Sequence, residues 1–188
     1  YSDYQTFVPG SCGRAVINME VKIDSPDPEN IPGEILARGL NVMLGYYKNE
    51  EATANTLDKD GWYHTGDLGT MDSEGNVFIK GRSKNMLLSS NGQNIYPEEI
   101  EDKLNSMAMV IESIVVQRDS KLVGLVFPDY EEAKKLNMSK EDLKEIMEQN
   151  RQELNNILPV YSKLTDIELH EEEFQKTPKK SIKRYLYK

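Results

Sequence analysis

The hydrophobic pattern of this chain changes its period once, near residue 82, and that change constrains the fold more than any other feature. Before it, apolar residues alternate in short runs broken by glycine and proline, the pattern of strands joined by turns. Residues 14–23 predict a strand, Ser25-Pro26-Asp27-Pro28-Glu29-Asn30-Ile31-Pro32-Gly33 a turn cluster, and 34–38 the returning strand. Residues 48–57 predict a short helix closed by Asp60-Gly61. Two further strands, 64–71 and 76–80, flank Asp72-Ser73-Glu74-Gly75, a hairpin loop ending in glycine.

After the change, helical spacing appears. Residues 84–89 predict a short strand, and Ser90-Asn91-Gly92-Gln93-Asn94 a loop. Tyr96-Pro97-Glu98-Glu99 then opens a helix, with proline in the first turn and carboxylates near the positive N-terminus. Ile100, Leu104 and Met107 share one face of it. Residues 110–117 and 121–127 predict a hairpin turning at Arg118-Asp119-Ser120. Ser139-Lys140-Glu141-Asp142 caps a helix that runs to about Leu158, where Pro159 follows. A last strand at 167–170 and a helical turn at 181–187 complete the reading. The predicted class is α+β. A small antiparallel β-barrel or sheet subdomain occupies 1–82, and an α+β domain with a short antiparallel sheet flanked by helices occupies 83–188.

Composition narrows the function. A net charge of −9 argues against nucleic acid as a partner. The single cysteine, Cys12, excludes an intrachain disulfide and is expected to be a small half-buried residue in a reducing, cytoplasmic setting. No apolar run approaches the ~18 residues of a membrane-spanning helix. The start, Tyr1-Ser2-Asp3-Tyr4, reads as a cut inside a longer polypeptide. Acidity is uneven: Asp166, Glu168, Glu171, Glu172 and Glu173 crowd one stretch, whereas 176–188 carries six basic residues and no acid. A basic tail on an acidic chain points to an anionic ligand that the tail must reach.

Three short segments carry chemistry. In Thr65-Gly66-Asp67, one carboxylate can accept hydrogen bonds from two vicinal hydroxyls, and the glycine lets a backbone approach a ligand. In Gly81-Arg82, the guanidinium offers a fork of donors for ribose or phosphate oxygens. Gly92 lies in a loop of small polar residues. His64 and His170 lack the spacing of a metal site, and Trp62, Tyr46 and Tyr47 read as packing residues.

These segments, in order, resemble the adenylate-forming enzymes: acyl-CoA synthetases, peptide-synthetase adenylation domains and luciferases. The resemblance also takes in Gly33-Glu34-Ile35-Leu36-Ala37-Arg38-Gly39, Gly45-Tyr46-Tyr47-Lys48-Asn49-Glu50-Glu51-Ala52-Thr53 and Lys80-Gly81-Arg82-Ser83-Lys84, and runs from about Gly10 to Arg184. It implies that Asp67 binds the ribose of ATP, that Arg82 contacts the nucleotide, and that Lys84 is the hinge about which the C-terminal domain swings. It implies that the Gly92 loop forms a narrow passage for the pantetheine arm of CoA. Ile95-Tyr96-Pro97-Glu98-Glu99-Ile100-Glu101 is close to the acyl-CoA synthetase form, and a fatty acid is the implied substrate. ATP, magnesium and CoA are the implied cofactors and co-substrates, and the missing N-terminal domain of the same polypeptide is the implied partner. That domain would hold the family's Ser/Thr/Gly-rich phosphate loop and its Tyr-Gly-x-Thr-Glu motif, neither of which occurs here.

The tail departs from the pattern. The family ends in a segment like Pro-x-Thr-x-x-Gly-Lys-Ile-x-Arg, whose lysine steadies charge during adenylation. Aligned on Thr177, Ile182 and Arg184, the glycine position holds Lys180 and the lysine position holds Ser181. Serine supplies no positive charge, so Lys180 or Lys179 must take the role or the charge must come from elsewhere; Lys180 is favoured. The competing readings are a family member acting on an aryl or amino acid, and a non-catalytic binding module whose tail serves an anionic partner.

Overall fold

A computed structural model describes residues 6–187. The opening Tyr1-Ser2-Asp3-Tyr4 and the last tail residue, Lys188, lie outside the described residues. The chain divides into two compact units, the first ending at Asn85 and the second beginning at Met86.

The first unit is built on β1 (Met19–Asp24), β2 (Gly33–Gly39), β3 (Tyr63–Met71) and β4 (Val77–Arg82). They pair in sequence order as an antiparallel meander. The described strands form an open sheet of four, not a barrel. Its core is small: Ile23, Ile35 and Val77, with Val21 and Met71 packed beside them. Strand β1 starts later than the predicted residue 14 because Asn18 takes a left-handed backbone, φ 65°, which ends pairing on that side. The helix predicted over 48–57 shortens to α1 (Glu50–Ala54), whose N-terminus is capped by the Asn49 side chain accepting from the Ala52 N–H at 3.0 Å. Cys12, expected to be half-buried, is exposed. Its backbone N–H bonds the Val77 carbonyl at 2.8 Å, which ties the segment to β4.

In the second unit the strand predicted over 84–89 shrinks to β5 (Leu87–Leu88), which pairs with β6 (Asn94–Ile95). Residues Ser83–Asn85 form a 3-10 turn instead, which is incompatible with a strand. Helix α2 (Pro97–Leu104) follows, then β7 (Val110–Arg118) and β8 (Lys121–Pro128) as an antiparallel hairpin. Asp119 and Ser120 both have positive φ, 47° and 62°, the two-residue turn that matches the strand twist. Helix α3 (Tyr130–Lys135), which the sequence reading missed, is a short turn capped by Asp129. Helix α4 (Lys140–Ile157) begins at the expected Ser139 cap, where Ser139 and Asp142 close a full capping box.

The last strand, β9 (Leu164–Leu169), is longer than predicted and joins β8 in parallel. The sheet, expected to be antiparallel throughout, is therefore mixed. A parallel partner needs a crossover, and α3 and α4 supply it. Side chains alternate across this sheet. Val115, Leu122 and Val126 meet Ile100 and Leu104 of α2 and Met147 and Leu154 of α4. On the opposite face Ile114, Val116, Val123 and Leu125 are covered by Phe174, Ile182 and Tyr187 from the tail. Helices thus flank one face and the tail flanks the other. Among the described residues no helix is long and apolar enough to cross a membrane.

Candidate active site

In the first unit the structure brings Asp67 and Arg82 together. They face each other in the β3–β4 register, and Arg82 Nη1 lies 2.5 Å from Asp67 Oδ1. The same Nη1 donates to the Thr65 carbonyl at 3.1 Å. Both side chains are open to solvent, 45% and 32% exposed, so a ligand can reach them.

The backbone beneath Asp67 is shaped by the residues before it. Thr65 Oγ1 donates to the Ile35 carbonyl at 2.7 Å and accepts from the Asp67 N–H at 3.0 Å. Gly66 has φ 70°, and a β-carbon there would sit 3.5 Å from Arg82 Nη2. Any other residue at 66 would strain the backbone beside the guanidinium.

Glu34, to which the sequence reading gave no role, holds this turn. Its Oε1 accepts from the Gly66 N–H at 2.9 Å, and its Oε2 lies 2.9 Å from His64 Nδ1. His64 Nε2 is 3.9 Å from Asp58. The histidine is therefore a strut between carboxylates. Glu34 gave no signal because a charged residue in a half-buried strand reads as its solvent face. Tyr63 also belongs here: burial, then the neighbouring Tyr46, push its hydroxyl pKa up, with Arg82 and Asp67 close enough to act on it. Trp62, expected to pack in a core or on a sheet, packs against side chains of β1 and β2: Lys22 Nζ lies 4.2 Å and the Arg38 guanidinium 4.4 Å from its ring centre. Tyr47 is exposed. Lys84 lies in the 3-10 turn at the end of this unit.

In the second unit, Gly92 closes the loop between β5 and β6. Its φ is 79°, its N–H donates to the Ser89 carbonyl at 3.0 Å, and Ser89 Oγ accepts from the Gln93 N–H at 2.8 Å. Nothing lies within 4 Å of where a Gly92 β-carbon would be. The glycine is thus required by its left-handed backbone, and its outer face is open.

The tail forms a tight hairpin. Lys176 and Ile182 pair across it, the Thr177 N–H bonds the Ser181 carbonyl at 2.8 Å, and the Lys180 N–H bonds the Thr177 carbonyl at 2.8 Å. Lys180 has φ 61°. It occupies the left-handed bulge position that ordinarily selects glycine, which agrees with an alignment placing Lys180 over a glycine and Ser181 over the lysine. The expected helical turn is a 3-10 turn confined to Arg184–Leu186.

Two of the tail's basic residues are used internally. Lys176 pairs with Glu112 at 2.8 Å and with Glu173. Arg184 pairs with Glu101, a residue only 6% exposed, and lies 3.9 Å from Glu98. Burial pushes the Glu101 carboxyl up, and Arg184 and the Val115 N–H pull it down. Lys179 and Lys180 are exposed at the hairpin tip. His170 sits in a ring cluster, 4.7 Å from Phe174 and 5.4 Å from Tyr187. Among the described residues no group of three or more His, Cys, Asp or Glu side chains is placed to hold a metal ion.

Comparison with known proteins adds the following. The AMP-binding enzyme C-terminal domain matches residues 84–187. An indenyl-propanoyl:CoA ligase of Rhodococcus jostii (strain RHA1) is 46% identical over 127 residues, 68% of this chain and 23% of that protein. A long-chain-fatty-acid–CoA ligase of Gallus gallus is 36% identical over 115 residues, 61% of this chain and 15% of that protein. The O-succinylbenzoate coenzyme A synthetase of Bacillus subtilis, solved with AMP, superposes with a TM-score of 0.76 at 24% identity, covering 95% of this chain and 35% of that one. The chain thus spans less than a quarter of the length of these two curated relatives.

Proposed function

Because this chain belongs to the AMP-binding enzyme C-terminal domain family, we propose that it is the C-terminal part of an ATP-dependent, AMP-forming acyl-CoA ligase acting on a fatty acid. Residues 1–82 are the end of a larger adenylation domain, and 83–188 are the mobile domain that follows it. The observation that carries this reading is the Asp67–Arg82 pair on adjoining strands, both side chains open to solvent.

In the first step ATP and a carboxylate give an acyl-adenylate and pyrophosphate. Asp67 accepts hydrogen bonds from the ribose hydroxyls, and Arg82 holds Asp67 in place while offering its remaining donors to the nucleotide. Magnesium would neutralise the ATP phosphates; no residue of this chain is assigned to it. In the second step the CoA thiol attacks the acyl carbon and AMP leaves. The open face at Gly92 admits the pantetheine arm. Lys84 is the hinge between the arrangements that serve the two steps.

A fatty acid is favoured by the Gallus gallus relative, a long-chain-fatty-acid–CoA ligase. A cyclic or aryl acid is the second reading, favoured by the Rhodococcus ligase and the succinylbenzoate synthetase. In both readings Lys180, exposed at the hairpin tip, supplies the positive charge that Ser181 cannot.

In the full-length protein, Lys180→Ala should lower carboxylate-dependent ATP–pyrophosphate exchange by about 100- to 1,000-fold, the range for loss of one transition-state electrostatic partner. The assay is run with palmitate and with 2-succinylbenzoate, and the larger exchange identifies the acid class. Exchange by Lys180→Ala equal to wild type would assign that charge to another residue.

A further inference from the structure

The tail hairpin that carries Lys179 and Lys180 has little of its own to hold it. One residue pair, Lys176 and Ile182, bridges it, and the hydrogen bonds of Thr177, Lys180 and Lys183 close it. A two-stranded hairpin this short is marginal in water and keeps its shape only when docked. Its outgoing arm is docked by Phe174, 2% exposed in the sheet core, and by Lys176 on Glu112. Its returning arm contributes Ile182 to the edge of that core and then reaches Arg184.

Arg184 does something the other anchors do not. Its guanidinium pairs with Glu101 on α2, whose other oxygen, Oε1, accepts the Val115 N–H of β7 at 2.6 Å. One buried carboxylate thus ties three elements together: the returning arm of the tail, the outer edge strand of the sheet, and the helix that begins directly after the Gly92 loop and β6. The guanidinium is 21% exposed and the carboxylate 8%, so the pair is largely withdrawn from water and its geometry is held tightly.

We propose that Arg184 is a positioning residue of the adenylation step: through Glu101 it fixes the returning arm of the tail hairpin to α2, so that the tip lysines are presented from a rigid frame. The proposal rests on the ligase reading for its catalytic consequence and on the contacts alone for its structural one. The guanidinium is engaged by Glu101, and the hairpin tip is four residues away. Without the anchor, among the described residues, the returning arm keeps Ile182, the ring and hydroxyl of Tyr187 and the hairpin's own hydrogen bonds, all of them local to the tail or the edge of the core.

The test uses the full-length protein carrying Arg184→Met, which keeps the aliphatic stem and removes the charge, beside Arg184→Lys. Hydrogen exchange is followed at the Lys180 and Lys183 amides, which bond the Thr177 and Gln175 carbonyls, and at the Leu125 and Val126 amides of β8 as an internal reference. Two half-reactions are measured with palmitate: ATP–pyrophosphate exchange, and thioester formation from synthetic palmitoyl-adenylate and CoA. The expected result for Arg184→Met is at least tenfold faster exchange in the tail with β8 within twofold. Pyrophosphate exchange falls at least tenfold and thioester formation less than threefold, and Arg184→Lys recovers part of both losses. Tail exchange equal to wild type, tail and β8 exchange accelerated together, or equal losses in the two half-reactions would each overturn the proposal. A wild-type protein inactive on palmitate would count against the fatty-acid reading, while the tail amides still decide whether Arg184 is the anchor.

Discussion

Asp67→Ala in the full-length protein should raise the KM for ATP about 10- to 150-fold while leaving the fold intact. The magnitude is that of a hydrogen bond to a charged group, about 1.5–3 kcal/mol, at about 1.4 kcal/mol per tenfold. The carboxylate is already paired with Arg82 through one oxygen, so its removal costs the ribose contact and also frees the guanidinium it orients. Stability should change by less than about 1 kcal/mol, because the pair is solvent-exposed and such ion pairs contribute little. Asp67→Asn keeps an acceptor in place and should fall between alanine and wild type. A KM for ATP within threefold of wild type in Asp67→Ala would remove the ribose assignment.

Leu154→Ala should destabilise the second unit by about 2–5 kcal/mol, the range for a large aliphatic side chain deleted from a packed core. Leu154 is fully buried on α4, in the cluster with Leu104, Val126 and Leu164. Against a typical domain stability of about 5–15 kcal/mol this is a large fraction. The control lies three residues along the same helix. Ile157 is 62% exposed, and Ile157→Ala should change stability by less than about 0.5 kcal/mol. Denaturant melts of the two variants check the assignment of α4's faces, and equal losses would contradict it.

What could be read from the sequence was what is written in local chemistry. The start of α4 is declared by Ser139 and Asp142, and both halves of that capping box form. The β7–β8 hairpin is declared by two apolar runs on either side of Arg118-Asp119-Ser120, and Asp119 and Ser120 take the backbone such a turn demands. Asp67 and Arg82 were each singled out, and their pairing follows once β3 and β4 are in register.

What could not be read depends on contacts between residues far apart in the chain. The direction of β9 is not encoded in its six residues, because parallel and antiparallel pairing bury the same alternating side chains. Glu101 and Arg184 lie 83 residues apart, and nothing near either one marks the other as its partner. Glu34 sits on a strand, and only the bulge that brings Gly66 back toward it reveals its purpose. The helical turn expected over 181–187 is a 3-10 turn at Arg184–Leu186, and the hairpin before it depends on the left-handed backbone of Lys180, which a lysine does not declare.

The most direct test of the account is fatty-acid-dependent ATP–pyrophosphate exchange, measured on this chain alone and on the full-length gene product under the same conditions. The account predicts exchange in the full-length protein and none in the isolated chain, because it assigns the phosphate loop and acyl pocket to a domain outside these 188 residues. Exchange by the isolated chain, or none by the full-length protein with any carboxylate, would contradict it.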